Sequence, residues 1–388
     1  MNEMNLATGK SRAVCTIIAK NYLAFARTLT QSFAALHPDY QCYVLIVDEF
    51  ADRIDTSAEP FEVVVVDELN IPDQLSFCFK YDVTELCTAL KAYLLDYLIV
   101  QKKVDQLLYL DPDILVTGNL DQLFDRLNTF DIVLTPHLDT DYPEDGLKPD
   151  DGHILRSGVF NLGFIGISNR SNASAFLAWW KPKLYWKCII DHERGYFVDQ
   201  KFVDLVPAMF DNYYVEKETG YNVAYWNLHS RHIGRDQHGN WTCNEAPLRF
   251  FHFSNYRPEN PDVISRHVTR FNLNNRPDLV PLFTEYRERL MRAGYDESSR
   301  WPYTFDFFDT GEPIPKRMRV SYRSNPAVWK TTGDPFKSST LKRKAAAIRL
   351  MEKDTLSGRL TSGFVSFARK LLPRRQVKPE TRDSKTQA

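Results

Sequence analysis

The chain has 388 residues, 43% hydrophobic and 13% aromatic, enough apolar material for one large domain with appendages or for two modest ones, which excludes a disordered polypeptide. A net charge of −1 excludes strong nucleic-acid binding by the chain as a whole. The six cysteines form no Cys-x-x-Cys pair, so a reducing, cytoplasmic setting is expected, and no apolar run reaches the roughly 18 residues that span a bilayer.

Residues 13–19 and 42–48 are short continuous apolar runs, the pattern of strands buried on both faces, with helical periodicity over 22–36 between them. They read as parallel strands joined by a crossover helix. A third strand is expected at 61–66, and Asp82 with Glu85 three residues on forms a capping-box start for a helix reaching residue 100. The apolar run 106–116 is interrupted only by Asp111-Pro112-Asp113, and 131–137 gives another strand. Residues 138–156, with six acidic residues and two prolines, read as a polar loop long enough to form a lid. A glycine-bearing strand at 160–167 and a Trp-rich helix at 172–188 come next, the tryptophans at helical spacing reading as core. A short helix after Asp199-Gln200, strands at 213–215, 221–228 and 248–253, and a helix at 277–292 complete the pattern. Strands alternating with helices through residue 137, followed by a mixed β-rich half, predict an α/β fold with a mostly parallel central sheet and flanking helices.

Open α/β sheets bind ligands at the carboxyl ends of their strands. There the sequence places Thr16, Lys20, Asn21, Asp48, Asp111, Asp113 and His252. Asp111 and Asp113 flank a proline whose fixed φ stiffens the turn, so both can reach one hard divalent cation. The second Asp-x-Asp, Asp139 and Asp141, has no strand before it and is set aside. Asp48 suits a turn cap as well as a ligand contact.

The order of these features resembles the nucleotide-sugar-dependent glycosyltransferases of the GT-A (Rossmann-like) fold, most of all glycosyltransferase family 8 and its bacterial relatives. The resemblance spans roughly 12–290 and rests on Ala19-Lys20-Asn21-Tyr22-Leu23, Tyr109-Leu110-Asp111-Pro112-Asp113, Asn161-Leu162-Gly163, Asp199-Gln200 and His252-Phe253-Ser254. It implies that Thr16, Ile18 and Asn21 meet the base or ribose, that Asn161 and Gly163 meet the donor sugar, and that His252 completes a metal site with Asp111 and Asp113. It also implies a UDP-hexose donor, a basic contact at Lys91, and retention of anomeric configuration. The family commonly follows the late His-Phe with Gly and then Lys-Pro-Trp. Here Ser254-Asn255-Tyr256-Arg257-Pro258 follows, leaving the diphosphate contact to Arg257.

Breaking a sugar–phosphate bond leaves new negative charge on the nucleoside diphosphate, which a divalent cation and a basic group stabilise. Two carboxylates with one imidazole favour Mn²⁺ over Mg²⁺. Gln200 is assigned to the oxocarbenium-like anomeric carbon and Asp199 to sugar or acceptor hydroxyls. An inverting enzyme would need a carboxylate base, a role open to Asp199 or an acid from 138–156. The expected acceptor is a glycan or a lipid-linked sugar. Two rivals are a catalytically silent carbohydrate-binding or scaffold protein of the same fold, and a nucleotidyltransferase, which lacks its Gly-rich triphosphate loop here. The extension 291–388 ends in a basic stretch, ten Lys or Arg between 341 and 375, whose apolar positions fit an amphipathic helix over 341–372 on the inner face of the membrane. A solvated basic end is the simpler reading of that stretch.

Overall fold

A computed structural model describes residues 10–324 and 333–340, so the expected helix at 341–372 lies outside the described residues. The chain divides into a unit that runs through Phe307 and a smaller one from Phe308.

The strands of the first unit are β1 (Arg12–Ile18), β2 (Gln41–Ile46), β3 (Glu62–Val65), β4 (Gln106–Leu110), β5 (Ile114–Val116), β6 (Ile132–Pro136), β7 (Phe160–Ser168), β8 (Ile190–Asp191), β9 (Tyr196–Phe197), β10 (Tyr213–Val215), β11 (Ile233–Arg235), β12 (Trp241–Cys243), β13 (Ala246–Pro247) and β14 (Phe250–His252). Its helices are α1 (Leu23–Ala34), α2 (Gln74–Lys80), α3 (Val83–Val100), α4 (Asp121–Arg126), α5 (Asp151–Ser157), α6 (Ser171–Lys187), α7 (Gln200–Val203), α8 (Val206–Met209), α9 (Val280–Arg292) and α10 (Tyr295–Ser298). The expected central sheet is present, seven-stranded, in the order β10-β6-β7-β4-β1-β2-β3. β1 to β4 and the β6–β10 pair run parallel, and β7 runs against both β4 and β6.

That reversed strand decides where the site lies. Because β7 is antiparallel, its first residues, Asn161 to Gly163, stand at the carboxyl ends of its parallel neighbours. The Asp111 amide donates to the Gly163 carbonyl at 2.8 Å. β14 returns late in the chain to pair antiparallel with β5, placing His252 opposite Ile114 and the Phe253 amide on the Asp113 carbonyl at 2.8 Å. Thus the Asp-Pro-Asp turn is gripped from both sides.

α3 starts as expected: Asp82 accepts from the Glu85 amide at 3.0 Å, and both halves of the capping box are formed. Three expectations are corrected. Residues 221–228 are turns rather than a strand, because Asn222 is left-handed (φ 48°) and the Asn227 side chain takes the Ala224 amide, leaving one isolated bridge from Val223 to Phe251. The segment 138–156 ends in α5, capped by Asp150. Its earlier part is tethered, Arg270 donating to Asp145 and Tyr142 to the Trp226 carbonyl. Among the tryptophans of α6, Trp180 is core, but Trp186 is 51% exposed. In the second unit, α11 (Lys316–Ser324) precedes a turn in which the Ser338 amide donates to Asp309.

Among the described residues no helix is long and apolar enough to cross a membrane. The six cysteines are free thiols.

Candidate active site

Asp111, Asp113 and His252 offer two carboxylate oxygens and one imidazole nitrogen, all within 4.8 Å of one another. His252 Nε2 lies 3.0 Å from Asp113 Oδ1 and 3.8 Å from Asp111 Oδ2. Both carboxylates are partly open to solvent while the imidazole is buried, so one wall of the cluster is fixed and the other is reachable. Burial lowers the His252 pKa, yet Asp113 and then Asp111 outweigh it, so the ring holds a proton more readily than an ordinary histidine. A mixed oxygen and nitrogen donor set of this size fits one divalent ion.

The imidazole is oriented from behind. Its Nδ1 faces Asn222 Oδ1 at 3.4 Å, which leaves Nε2 toward the carboxylates. Asn222 in turn donates to Thr135 Oγ1 at 2.8 Å and to Asn161 Oδ1 at 3.0 Å, and that oxygen also takes the Gly163 amide. The Trp226 ring meets His252 edge-on, centroids 5.1 Å apart. On the carboxylate side, the Tyr109 hydroxyl donates to Asp111 Oδ1 at 2.7 Å. Tyr109 and Asp111 are two apart and share a strand face, a relation that the sequence carried unread. Asn222 and Thr135 gave no such local signal.

Behind Asp111 lies a buried ion pair. Lys91 Nζ donates to the Leu162 carbonyl at 2.6 Å, lies 2.7 Å from Asp199 Oδ2 and 3.9 Å from Asp111 Oδ1, and stands 4.2 Å from the centroid of the Tyr109 ring. Burial lowers the Lys91 pKa, but Asp199 and Asp111 outweigh it and the ammonium is held above its usual range. Burial also raises Asp199, more than Lys91 lowers it. Asp199, although paired with Lys91, also lines the cavity between these groups. Its neighbour Gln200 accepts the Leu162 amide at 3.0 Å and Asn161 Nδ2 at 3.3 Å, and donates to the Ser157 carbonyl at 2.9 Å. Val198, just before them, is a β-branched residue at φ 40°, a strained conformation of the kind that clusters at functional sites.

A cavity of about 240 Å³ joins these groups, with Lys91, Asp111, Asp113, Asn161, Gly163, Asp199, Gln200 and His252 on its walls. The remaining expected residues stand apart from it. Asn21, on the turn after β1, has a buried side-chain oxygen with no hydrogen-bond partner, as a ligand-binding group would. The Thr16 hydroxyl is also buried and unbonded, and the Ile18 side chain belongs to the apolar core. Asp48 is a clamp: its oxygens take the Lys20 amide at 2.8 Å, Lys20 Nζ at 2.7 Å and the Thr304 amide at 3.1 Å. Arg257 is exposed after β14, and its charge and that of Asp113 both act on the Tyr22 phenol. Asp139 pairs with Arg231 at 3.1 Å.

His137 also lines the cavity, receives Asn161 Nδ2 at 3.2 Å, and is held neutral, its pKa pushed down to about 4 mainly by burial, with His252 and Lys201 adding to the lowering. An unfolded histidine titrates near 6.5, so the unfolded chain binds the extra proton first. This group's share of stability is intact above that value and falls as pH drops toward 4, by up to about 3 kcal/mol. Urea midpoints measured between pH 7 and 4 should fall more steeply for the wild type than for His137→Asn. Equal slopes would contradict the assignment.

No protein-family model matches the chain. Among curated proteins it is similar to two from Bacillus subtilis (strain 168), the uncharacterized proteins YfnD and YfnF. The first is 26% identical over 246 residues, 62% of this chain and 76% of YfnD; the second is 24% identical over 283 residues, 72% of this chain and 91% of YfnF. It is also similar to glycosyltransferase GlyA of Streptococcus pneumoniae serotype 4 (strain ATCC BAA-334 / TIGR4), 25% identical over 224 residues, 55% of this chain and 28% of GlyA. Among solved structures, the galactosyltransferase LgtC in complex with donor and acceptor sugar analogs aligns with TM-score 0.44 at 16% identity, over 71% of this chain and 95% of LgtC. The glycosyltransferase GlyE of Streptococcus pneumoniae TIGR4 aligns with TM-score 0.43 at 17% identity, over 77% of this chain and 67% of GlyE. Both structures are glycosyltransferases, the class that the motifs resemble.

Proposed function

We propose that the chain is a glycosyltransferase that moves a sugar, a hexose carried by UDP, from the nucleoside diphosphate to a glycan or lipid-linked acceptor with retention of configuration. The observation that carries this reading is the convergence of Asp111, Asp113 and His252 at the carboxyl ends of parallel strands, with a buried ammonium behind them. Asp111, Asp113 and His252 would hold a divalent cation, Mn²⁺ in preference to Mg²⁺, which would supply a Lewis acid for the departing diphosphate. Lys91 keeps a fixed positive charge 3.9 Å behind Asp111, and Arg257 is the exposed base on the loop beyond His252. Asn21 offers its unpaired oxygen to the nucleoside. Gln200 reaches the sugar only if its amide oxygen is shared with or released from the Leu162 amide, so in the described arrangement it positions the start of β7. With retention, the leaving phosphate takes the acceptor's proton and Asp199 needs no base role.

The test is thermal unfolding with UDP, GDP, CDP or ADP, each with Mn²⁺ or EDTA, in wild type and Asp113→Asn. One diphosphate is expected to stabilise the wild type only with Mn²⁺, by about 2.7 kcal/mol at a hundred times its dissociation constant, and to leave the variant unmoved. Absence of stabilisation by all four would favour a silent carbohydrate-binding scaffold.

A further inference from the structure

A second groove, of about 770 Å³, shares no lining residue with the metal cavity. Its walls are two helical stripes and the loop before α2. On α3 the stripe is Tyr93, Tyr97, Val100 and Gln101; on α6 it is Ala178, Lys181, Pro182, Tyr185 and Trp186. Both stripes follow the spacing of one helix face. Tyr93 lies two residues, about 200° of helical rotation, beyond Lys91, so the face of α3 that serves the groove is turned away from Asp111.

The lining alternates aromatic rings with oxygen acceptors. Glu68 takes the Tyr97 hydroxyl at 2.5 Å, and Asp96 pairs with Lys181 at 2.7 Å, so the lining carries an excess of one carboxylate. Pro182 has no N–H, which deprives the Ala178 carbonyl, on the groove wall, of its helical donor. Trp186, half exposed at the rim, meets Tyr185 edge to face at 4.8 Å. Among the lining residues an anionic ligand finds two carboxylates against the Lys181 ammonium, with Lys80 Nζ 3.5 Å from the Tyr185 ring centroid and 4.6 Å from that of Trp186, and an apolar helix finds polar atoms between the rings. A chain of neutral sugars has apolar ring faces for the aromatics and hydroxyl donors for the carbonyl and carboxylate oxygens.

We infer that this groove is a carbohydrate-binding site for a neutral oligosaccharide, separate from the metal centre. The binding itself does not depend on the catalytic reading, while its service to transfer rests on that reading. Such a site would hold a growing glycan to the enzyme between transfers and raise its effective concentration at the metal cavity.

The test uses the full chain and short neutral oligosaccharides of glucose, galactose and N-acetylglucosamine, followed by tryptophan fluorescence and calorimetry. At least one is expected to bind wild type and Asp113→Asn equally, and to lose about tenfold or more in affinity in Trp186→Ala and in Ala178→Trp, which fills the groove from an exposed position. Circular dichroism checks that both variants fold. Failure of every oligosaccharide to bind would overturn the inference. So would binding abolished by Asp113→Asn but kept in the two groove variants, because the sugar would then occupy the metal cavity. Neither result depends on whether UDP and Mn²⁺ bind.

Discussion

Replacing Lys91 by methionine is expected to destabilise the folded chain by about 3–5 kcal/mol, because it strands the buried Asp199 carboxylate without its counter-charge. The ammonium also serves the Leu162 carbonyl, which would be left without that donor. Removing both charges should be far milder. In Lys91→Met with Asp199→Leu, neither ion has to be desolvated, and most of the lost stability should return, as replacing a whole buried pair by apolar groups often does. Urea unfolding of wild type, the single variant and the double variant measures the coupling directly. A single-variant loss below about 1 kcal/mol, or a double variant no more stable than the single, would remove the pair as an organising element of the site. The double variant, if folded, separates structure from chemistry: it keeps Asp111, Asp113 and His252 and lacks the fixed charge behind them, so Mn²⁺ should still bind while the nucleoside diphosphate binds more weakly.

The parts of this site that the sequence disclosed are those whose signals are local. A continuous apolar run ending in Asp-Pro-Asp identifies both a buried strand and the carboxylates at its end, and Asp82 with Glu85 marks the start of the helix that carries Lys91. What could not be read depends on pairing between distant segments. β14 lies beside β5 only because the chain returns after eight further strands, and Asn222 reaches His252 only because residue 222 turns left-handed beneath that strand. Asp48, which suits a turn cap as well as a ligand contact, binds Lys20 and the amide of Thr304, a partner far away in sequence. α2 was missed for a different reason. Its seven residues are too few to show a helical period, and Phe77, Cys78 and Phe79 are buried in succession, so the tertiary environment and not a local pattern sets this helix. Trp186 shows the converse, a helical apolar position that the neighbouring helices leave half uncovered.

Gly163→Ala is expected to weaken divalent-cation binding, and transfer activity with it, by about 10- to 100-fold, an effect of the size seen when partners that orient metal ligands are lost. The glycine is not there for its backbone freedom; it is there for space. A Cβ at 163 would stand 2.6 Å from His252 Nδ1 and 2.7 Å from Asn161 Oδ1. Neither neighbour can yield easily, since the imidazole is buried against Trp226 and Asn161 is tied to Asn222 and Gln200. The strain of forcing one methyl into such a site costs about 1–3 kcal/mol. A double-mutant cycle tests the cause. With His252 already replaced by alanine, the clash with the ring is gone, so adding Gly163→Ala should cost much less stability than it does in the wild type. Calorimetric Mn²⁺ titration of the folded single variant supplies the functional readout. Unchanged affinity there would mean that His252 can move without loss, and that the two aspartates hold the ion without it.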